Sequence, residues 1–197
     1  GFYIRKRAAR DYQTEIGANV LGYIAEVNPD NLYKDDYYKF GDLIGKLGIE
    51  KSYEEQLRGV KGVNYIQKDI YNRDIGPYKA GQFDTLSIPG RDIKITIDAE
   101  LQAYGERLMQ NKMGGIVAIE PSTGELLSLV SAPSYNPGLL VGRERSKNYM
   151  KLYQDSIHRP LFDKALIRMH APGSPFKTLV ALTALQEEVI SEKELIY

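Results

Sequence analysis

Apolar and polar positions change rhythm midway along the chain. Val20 to Val27 (VLGYIAEV) is apolar and β-branched, which predicts a strand, and the NPDN that follows predicts a turn. Asp35 to Leu47 and Glu50 to Leu57 read as short helices, with Ile49, Tyr53 and Leu57 four apart on one face, and Gly59 and Gly62 stop the second. From Val63 to about Ser87 loose alternation, broken by Asn72, Asp74, Gly76 and Pro77, predicts a β-rich segment. At Pro89-Gly90 the texture shifts. DIKITID sets Ile93, Ile95 and Ile97 against Lys94 and Thr96, the alternation of a half-buried strand. Asp98 is placed to cap a helix with Leu101, Tyr104 and Leu108 as its apolar stripe, ended by Gly114-Gly115.

GIVAIE and ELLSLVSA flank Pro121-Ser122-Thr123-Gly124 and predict a hairpin. Ala132 to Tyr153 is irregular and polar, and Leu161 to Met169 reads as a short helix. Pro175 to Glu188 is apolar nearly all round, which predicts a buried helix. A domain boundary therefore falls near residues 88–92. The part before it is expected to make few contacts with the hairpin, so that two separately packed units join near Pro89.

With 197 residues, 43% of them hydrophobic and 26% charged, the composition is globular and excludes collagenous and disordered classes. Twenty-six basic and 26 acidic residues leave no net field to favour nucleic acid, so no nucleic-acid partner is expected. No cysteine is present, which excludes disulfides, thiolate metal sites and thiol nucleophiles. No apolar run reaches the roughly 18 residues of a membrane span. Gly1 to Arg10 is basic but lacks the apolar core of a signal peptide, and the chain is expected to be a fragment. The 15 tyrosines suit half-buried packing or an interface.

Three motifs carry no chemistry. GDLIGK (Gly41 to Lys46) has one residue too few between its glycines for a phosphate loop, and Leu47 stands where a magnesium-binding hydroxyl is needed. His158 and His170 lack metal-ligand spacing, and neither metal nor cofactor is expected. Glu54-Glu55 and Glu187-Glu188, adjacent on helices, point apart and read as solvated charges.

Ser174-Pro175-Phe176-Lys177 differs. A serine hydroxyl needs a base, and a lysine three residues on along a helix lies one turn away on the same face. Pro175 suits the first helical position, which makes Ser174 the expected cap, where the helix dipole favours developing negative charge. Burial among Phe176, Leu179, Val180 and Leu182 would push the Lys177 pKa down, as a general base requires. Ten serines and 15 lysines yield roughly 0.8 chance S-x-x-K matches, so the tetrad alone fits an ordinary capping serine equally well.

Its context resembles the class B penicillin-binding proteins, the DD-transpeptidases that cross-link peptidoglycan. The resembling blocks are Arg10 to Val27, Gly48 to Gly62, Pro89 to Gln102, Gly114 to Pro137 and HAPGSPFK (His170 to Lys177), in the family's order. GYIAEV and GDLIGKLGIEKSYE are closest to the elongation branch rather than the septal one. The resemblance implies an α+β chain: a partial β-rich pedestal (the dimerisation-type domain, residues 1–88), then the first portion of a serine β-lactamase-like transpeptidase domain (89–197). It also implies that Ser174 is the acylated nucleophile, that Lys177 takes its proton, and that the Ser174 backbone N–H supplies half of an oxyanion hole.

The implied partners are peptidoglycan stem peptides, β-lactam antibiotics and, through the pedestal, elongation-machinery membrane proteins. The implied location is the periplasmic side of the bacterial inner membrane, anchored by an N-terminal helix outside this chain. The family also uses a downstream Ser-x-Asn and a Lys-Thr/Ser-Gly strand. No KTG or KSG occurs here, and Ser134-Tyr135-Asn136 and Ser146-Lys147-Asn148 precede the nucleophile. The 197 residues alone are accordingly expected to be inactive, with the helix from Pro175 exposing an apolar face. A β-lactamase or penicillin sensor, or a non-catalytic scaffolding module of the elongation complex, are the alternative readings.

Overall fold

A computed structural model describes residues 10–169 and 171–193. The chain divides into two compact units, residues 1–166 and 167–197.

The first unit begins with two short helices and two short strands. The run expected as one strand splits into α1 (Ala18–Leu21) and β1 (Ile24–Glu26) at Gly22, whose φ is 81°. A Cβ on Gly22 would lie 1.9 Å from the Leu47 carbonyl oxygen, and one on Gly48 would lie 2.4 Å from that of Val20. Two backbones cross there at a distance that only glycine permits. NPDN is a helix start rather than a turn. Asn28 accepts from the Asn31 N–H (2.9 Å), and the Asn31 side chain accepts from the Asn28 N–H (3.1 Å). With Pro29 in the first turn, this reciprocal cap opens α2 (Pro29–Lys34).

The helix expected over 35–47 is absent because side chains capture its backbone donors. Asp35 takes the Tyr37 N–H (2.9 Å) and Asp42 takes that of Lys39 (2.6 Å). The segment ends instead in β2 (Leu43–Gly45), antiparallel to β1 with Ala25 opposite Ile44. Helices α3 (Gly48–Ser52) and α4 (Glu54–Arg58) follow, close to expectation.

Glu54 is not a free surface charge, since it accepts from the Tyr38 hydroxyl (2.8 Å) and the Gly45 N–H (2.7 Å). Burial, and then this carboxylate, push Tyr38 up to about 12. Buried Glu50 receives two Arg10 donors, Nε at 2.8 Å and Nη2 at 2.9 Å. Arg58 lies 4.0 Å from the Tyr37 ring centroid and donates to Asp35 at 2.6 Å.

That hydrogen bond, followed by the Tyr37 amide, holds Asp35 below its ordinary 3.8. A carboxylate depressed in the folded state stabilises the fold fully above its unfolded value and loses that contribution as pH falls through the folded one. Asp35→Asn is therefore expected to be less stable than the parent at pH 6, with the difference closing on acidification below about 3.8. Urea unfolding at stepped pH measures it, and a pH-independent difference would contradict it.

Residues 60–88 form the expected β-rich segment. Strands β3 (Ile66–Lys68) and β4 (Asp74–Pro77) pair antiparallel, and isolated bridges Val63↔Thr85 and Val60↔Ile88 extend the ribbon. DIKITID is not a strand. Its isoleucines are half-buried and its polar residues exposed, so the alternation holds in burial. No ladder forms, because Thr96 Oγ1 to the Leu126 carbonyl (2.6 Å) and Asp98 N–H to that of Leu127 (2.9 Å) join it to the next sheet only at its end.

Asp98 caps α5 (Ala99–Leu108) as expected, accepting from the Leu101 N–H at 2.9 Å. The packed face is not the expected one: Leu101, Tyr104 and Leu108 are exposed, whereas Gln102 and Gly105 are buried. At Gly105 a Cβ would stand 2.8 Å from Val130 Cγ2, so the glycine lets α5 lie against the sheet. That sheet is the expected hairpin, β5 (Gly114–Ile119) antiparallel to β6 (Leu126–Ala132), Ile116 opposite Val130.

The stretch after β6, expected to be irregular, contains a 3-10 turn (Pro137–Leu140) and α6 (Arg145–Gln154). The short helix expected over 161–169 is a run of turns, in which Asp163 captures the N–H groups of Ala165 (2.9 Å) and Leu166 (3.1 Å).

Separate packing of the two sides of Pro89 does not hold. Ala18 shares a buried cluster with Tyr135 and Leu140, Gly17 N–H donates to Glu106 (2.7 Å), and Arg145 pairs with Glu26 (3.2 Å). Small residues at 17 and 18 let the chain ahead of β1 enter the later residues' core, which a composition break at Pro89 does not reveal.

The second unit holds α7 (Phe176–Gln186). Phe176, Leu179, Val180 and Leu182 are each about half exposed, so the expected burial is not found and the apolar face stands open. No helix among the described residues is long and apolar enough to cross a membrane.

Candidate active site

Ser174 and Lys177 open α7. Phe176 N–H bonds the Gly173 carbonyl (3.1 Å), Lys177 N–H that of Ser174 (3.0 Å), and Thr178 N–H that of Pro175 (3.3 Å). These i→i+3 bonds wind the entry as a tight turn, in which residues three apart eclipse, so the serine and the lysine sit one turn apart on one side. Gly173 precedes them at φ 62°.

The cap falls on Pro175 (φ −55°, ψ −26°), not on Ser174, and no side chain caps the helix. Ser174 contributes its carbonyl to the turn, while among the described residues its hydroxyl makes no hydrogen bond to Lys177. Lys177 is exposed, as are Phe176, Leu179, Val180 and Leu182, so residues 167–193 do not by themselves form the apolar enclosure expected around the amine. What the entry turn supplies is a hydroxyl-bearing and an amine-bearing residue three apart in sequence, at the N–H end of an 11-residue helix.

The discarded motifs take ordinary places. GDLIGK contains β2. His158 pairs with Asp155 across a turn (3.0 Å), and His170 lies outside the described residues. Ser146 is on the first turn of α6, and Ser134 follows β6.

Sequence reasoning missed Gln102, which joins α5 to the β5–β6 sheet within the first unit. Buried at 2% exposure, it accepts from the Leu129 N–H (2.8 Å) and the Ser128 hydroxyl (3.0 Å), and donates to the Leu129 carbonyl and Glu106 (both 3.0 Å). It thereby acts as a strand partner for β6. Its signal was a glutamine and a glycine three apart in a helix whose apolar residues lie elsewhere.

Residues 1–95 match the penicillin-binding protein dimerisation domain and residues 114–197 the penicillin-binding protein transpeptidase domain. The chain belongs to the penicillin-binding proteins. Within them it is similar to the peptidoglycan D,D-transpeptidase MrdA of Acinetobacter baumannii, 34% identical over 96% of this chain and 28% of that protein. Among solved structures it is similar to Pseudomonas aeruginosa PBP2 in complex with WCK 5153 (36% identity, TM-score 0.76, 96% of this chain and 38% of that one). It is also similar to the Helicobacter pylori complex of PBP2 with MreC (28% identity, TM-score 0.75, 95% and 35%). The chain thus spans under a third of the curated relative's length. The mixed α+β fold and the order of dimerisation and transpeptidase parts expected from sequence agree with these matches.

Proposed function

We propose that the protein carrying this chain is a serine D,D-transpeptidase that cross-links peptidoglycan during cell elongation. The observation that carries the reading is Ser174 one turn from Lys177 at the entry of α7, inside the residues that match a transpeptidase domain. In the proposed reaction Ser174 Oγ attacks the carbonyl carbon of the penultimate D-Ala of a stem peptide, and the Lys177 amine takes the hydroxyl proton. The Ser174 N–H stabilises the oxyanion. As the C–N bond breaks, the Lys177 ammonium protonates the departing D-Ala. A neighbouring stem's amine then attacks the ester, gives up a proton through Lys177, and releases Ser174. A β-lactam acylates the same oxygen by opening its ring amide.

On this reading residues 1–88 are part of the pedestal and 89–197 the start of the catalytic domain, with no cofactor. The pedestal docks elongation-machinery membrane proteins on the periplasmic side of the inner membrane, a reading supported by the likeness to a PBP2 solved with MreC. Residues 1–197 alone, which contain no Lys-Thr/Ser-Gly, are expected to give no penicillin adduct.

The test supplies the intact protein with donor and acceptor stem peptides and counts products. One D-Ala released per cross-linked dimer supports a transpeptidase. D-Ala release without dimer, or β-lactam hydrolysis with turnover, would replace it with a hydrolase.

A further inference from the structure

The ribbon of residues 60–88 ends in a tip that acyl transfer does not use. Val60 pairs with Ile88 beside Pro89, and from there the two strands run through β3 and β4 to the turn between Lys68 and Asp74. That turn is the end of the ribbon remote from Pro89. At it Ile70 is 91% and Tyr71 72% exposed, and Ile66 and Ile75, on the strands that lead to it, are also more than half exposed. Adjacent large apolar side chains held in water mark a contact surface rather than a core.

The turn is closed by its own hydrogen bonds. Asp69 N–H donates to the Arg73 carbonyl and Asn72 N–H to that of Asp69, both at 3.0 Å. Asp69 Oδ1 accepts from the N–H groups of Tyr71 (2.8 Å) and Arg73 (2.9 Å), and Asn72 takes the left-handed φ of 62° that the reversal needs. The charges are paired as well: Arg73 Nε meets Asp69 Oδ2 at 2.7 Å and Lys68 meets Asp74 at 3.5 Å. The Arg73 guanidinium also lies 5.1 Å from the Tyr71 ring centroid. With these donors and charges turned on one another, the tip presents outward hydrocarbon, one phenol and the Asn72 amide.

A pocket on another protein is registered by directional polar groups, and this tip has spent most of its own internally. The boundary of a lipid bilayer makes the opposite demand, that no polar group arrive unpaired. It also accepts a tyrosine, whose ring sits below the headgroups and whose hydroxyl reaches them. Two cations against two carboxylates leave the tip without net charge, so its attraction to such a surface is apolar. We infer that the tip inserts Ile70 and Tyr71 into the headgroup boundary of a lipid bilayer and steadies the ribbon against the membrane. The inference rests on the reading of an anchored protein on the periplasmic side of a membrane. An anchor already holds the chain at the bilayer, so a contact of two side chains, too weak to recruit a free protein, suffices there.

The experiment reconstitutes the intact protein in vesicles of phosphatidylethanolamine and phosphatidylglycerol that hold no other protein, with the photoreactive Tyr71→p-benzoylphenylalanine substitution. Illumination is expected to give a lipid adduct at residue 71, and none with the same probe in place of Tyr153, which is 67% exposed on α6. Adding Ile70→Asn should lower the adduct at 71 by about tenfold, since the isoleucine no longer gains from burial, and Ile70→Leu should keep it. Both tip side chains are exposed, so these changes leave the packed parts of the unit in place. Equal lipid adducts at 71 and 153, an adduct indifferent to Ile70→Asn, or none at 71 overturns the contact. In native membranes, an adduct at 71 to a protein instead of lipid assigns the tip to that partner and likewise overturns it. Retention in alkaline carbonate and acylation by penicillin are read in parallel. A retained, acylated protein without the lipid adduct overturns the contact and leaves the transpeptidase reading standing. A protein that carbonate strips from the vesicles overturns the anchoring, and the contact with it. A lipid adduct in a protein that penicillin does not acylate upholds the contact and overturns the transpeptidase reading.

Discussion

Replacing Ser174 with alanine is expected to abolish covalent labelling of the intact protein by a fluorescent penicillin, with the fold unchanged. The reason is chemical rather than structural. Ser174 is exposed, its hydroxyl caps nothing, and its carbonyl bond to the Lys177 N–H survives the substitution. Loss of a nucleophile in an acyl-transfer enzyme costs on the order of 10⁶ in turnover. Lys177→Met keeps the nucleophile and removes the base, so the expected loss is smaller, about 10²–10⁴ in acylation rate. Labelling of Ser174→Ala at the parental rate would place the nucleophile elsewhere.

The second large effect is on stability. Gln102→Leu keeps much of the side chain's volume and removes four hydrogen bonds, leaving the Leu129 N–H, the Leu129 carbonyl and the Ser128 hydroxyl without that partner under α5. Ser128 is 1% and Leu129 6% exposed, so water does not replace what is lost. At about 1–3 kcal/mol for each buried group left unpaired, a loss of ~3 kcal/mol or more is expected. Urea unfolding should show the midpoint move with little change in slope. A change within ~0.5 kcal/mol, as for an ordinary surface substitution, would mean that α5 is held to β6 by something other than Gln102.

These residues also show what the sequence can and cannot reveal. The β5–β6 hairpin and the Asp98 cap were legible because each is local: two apolar runs about a turn, and one carboxylate facing its own helix's amides. The packed face of α5 was not legible, because a hydrophobic stripe predicts burial of Leu101, Tyr104 and Leu108, while the helix approaches β6 where Gly105 allows contact and Gln102 satisfies its backbone. DIKITID shows the same limit from the other side. Alternation sets which side chains turn inward, but a strand needs a partner that alternation does not supply.

NPDN carries turn and cap chemistry in the same four letters, and only the reciprocal Asn28 and Asn31 bonds decide between them. At the candidate site, the S-x-x-K spacing is readable and the family's block order gives it meaning, yet the cap falls on Pro175, one residue after the expected Ser174, and Lys177 is exposed. Spacing along one helix is a local property. Burial depends on which segments come to cover that helix, and the tetrad carries no information about them.

One measurement addresses the Ser174 hydroxyl oxygen directly. The intact protein is treated briefly with penicillin, digested, and the adduct located by mass spectrometry. The expected result is a single penicilloyl group on the peptide containing Ala171 to Lys177, with fragmentation assigning it to Ser174. An adduct on Ser134, Ser146 or any other residue, with Ser174 unmodified, would contradict it.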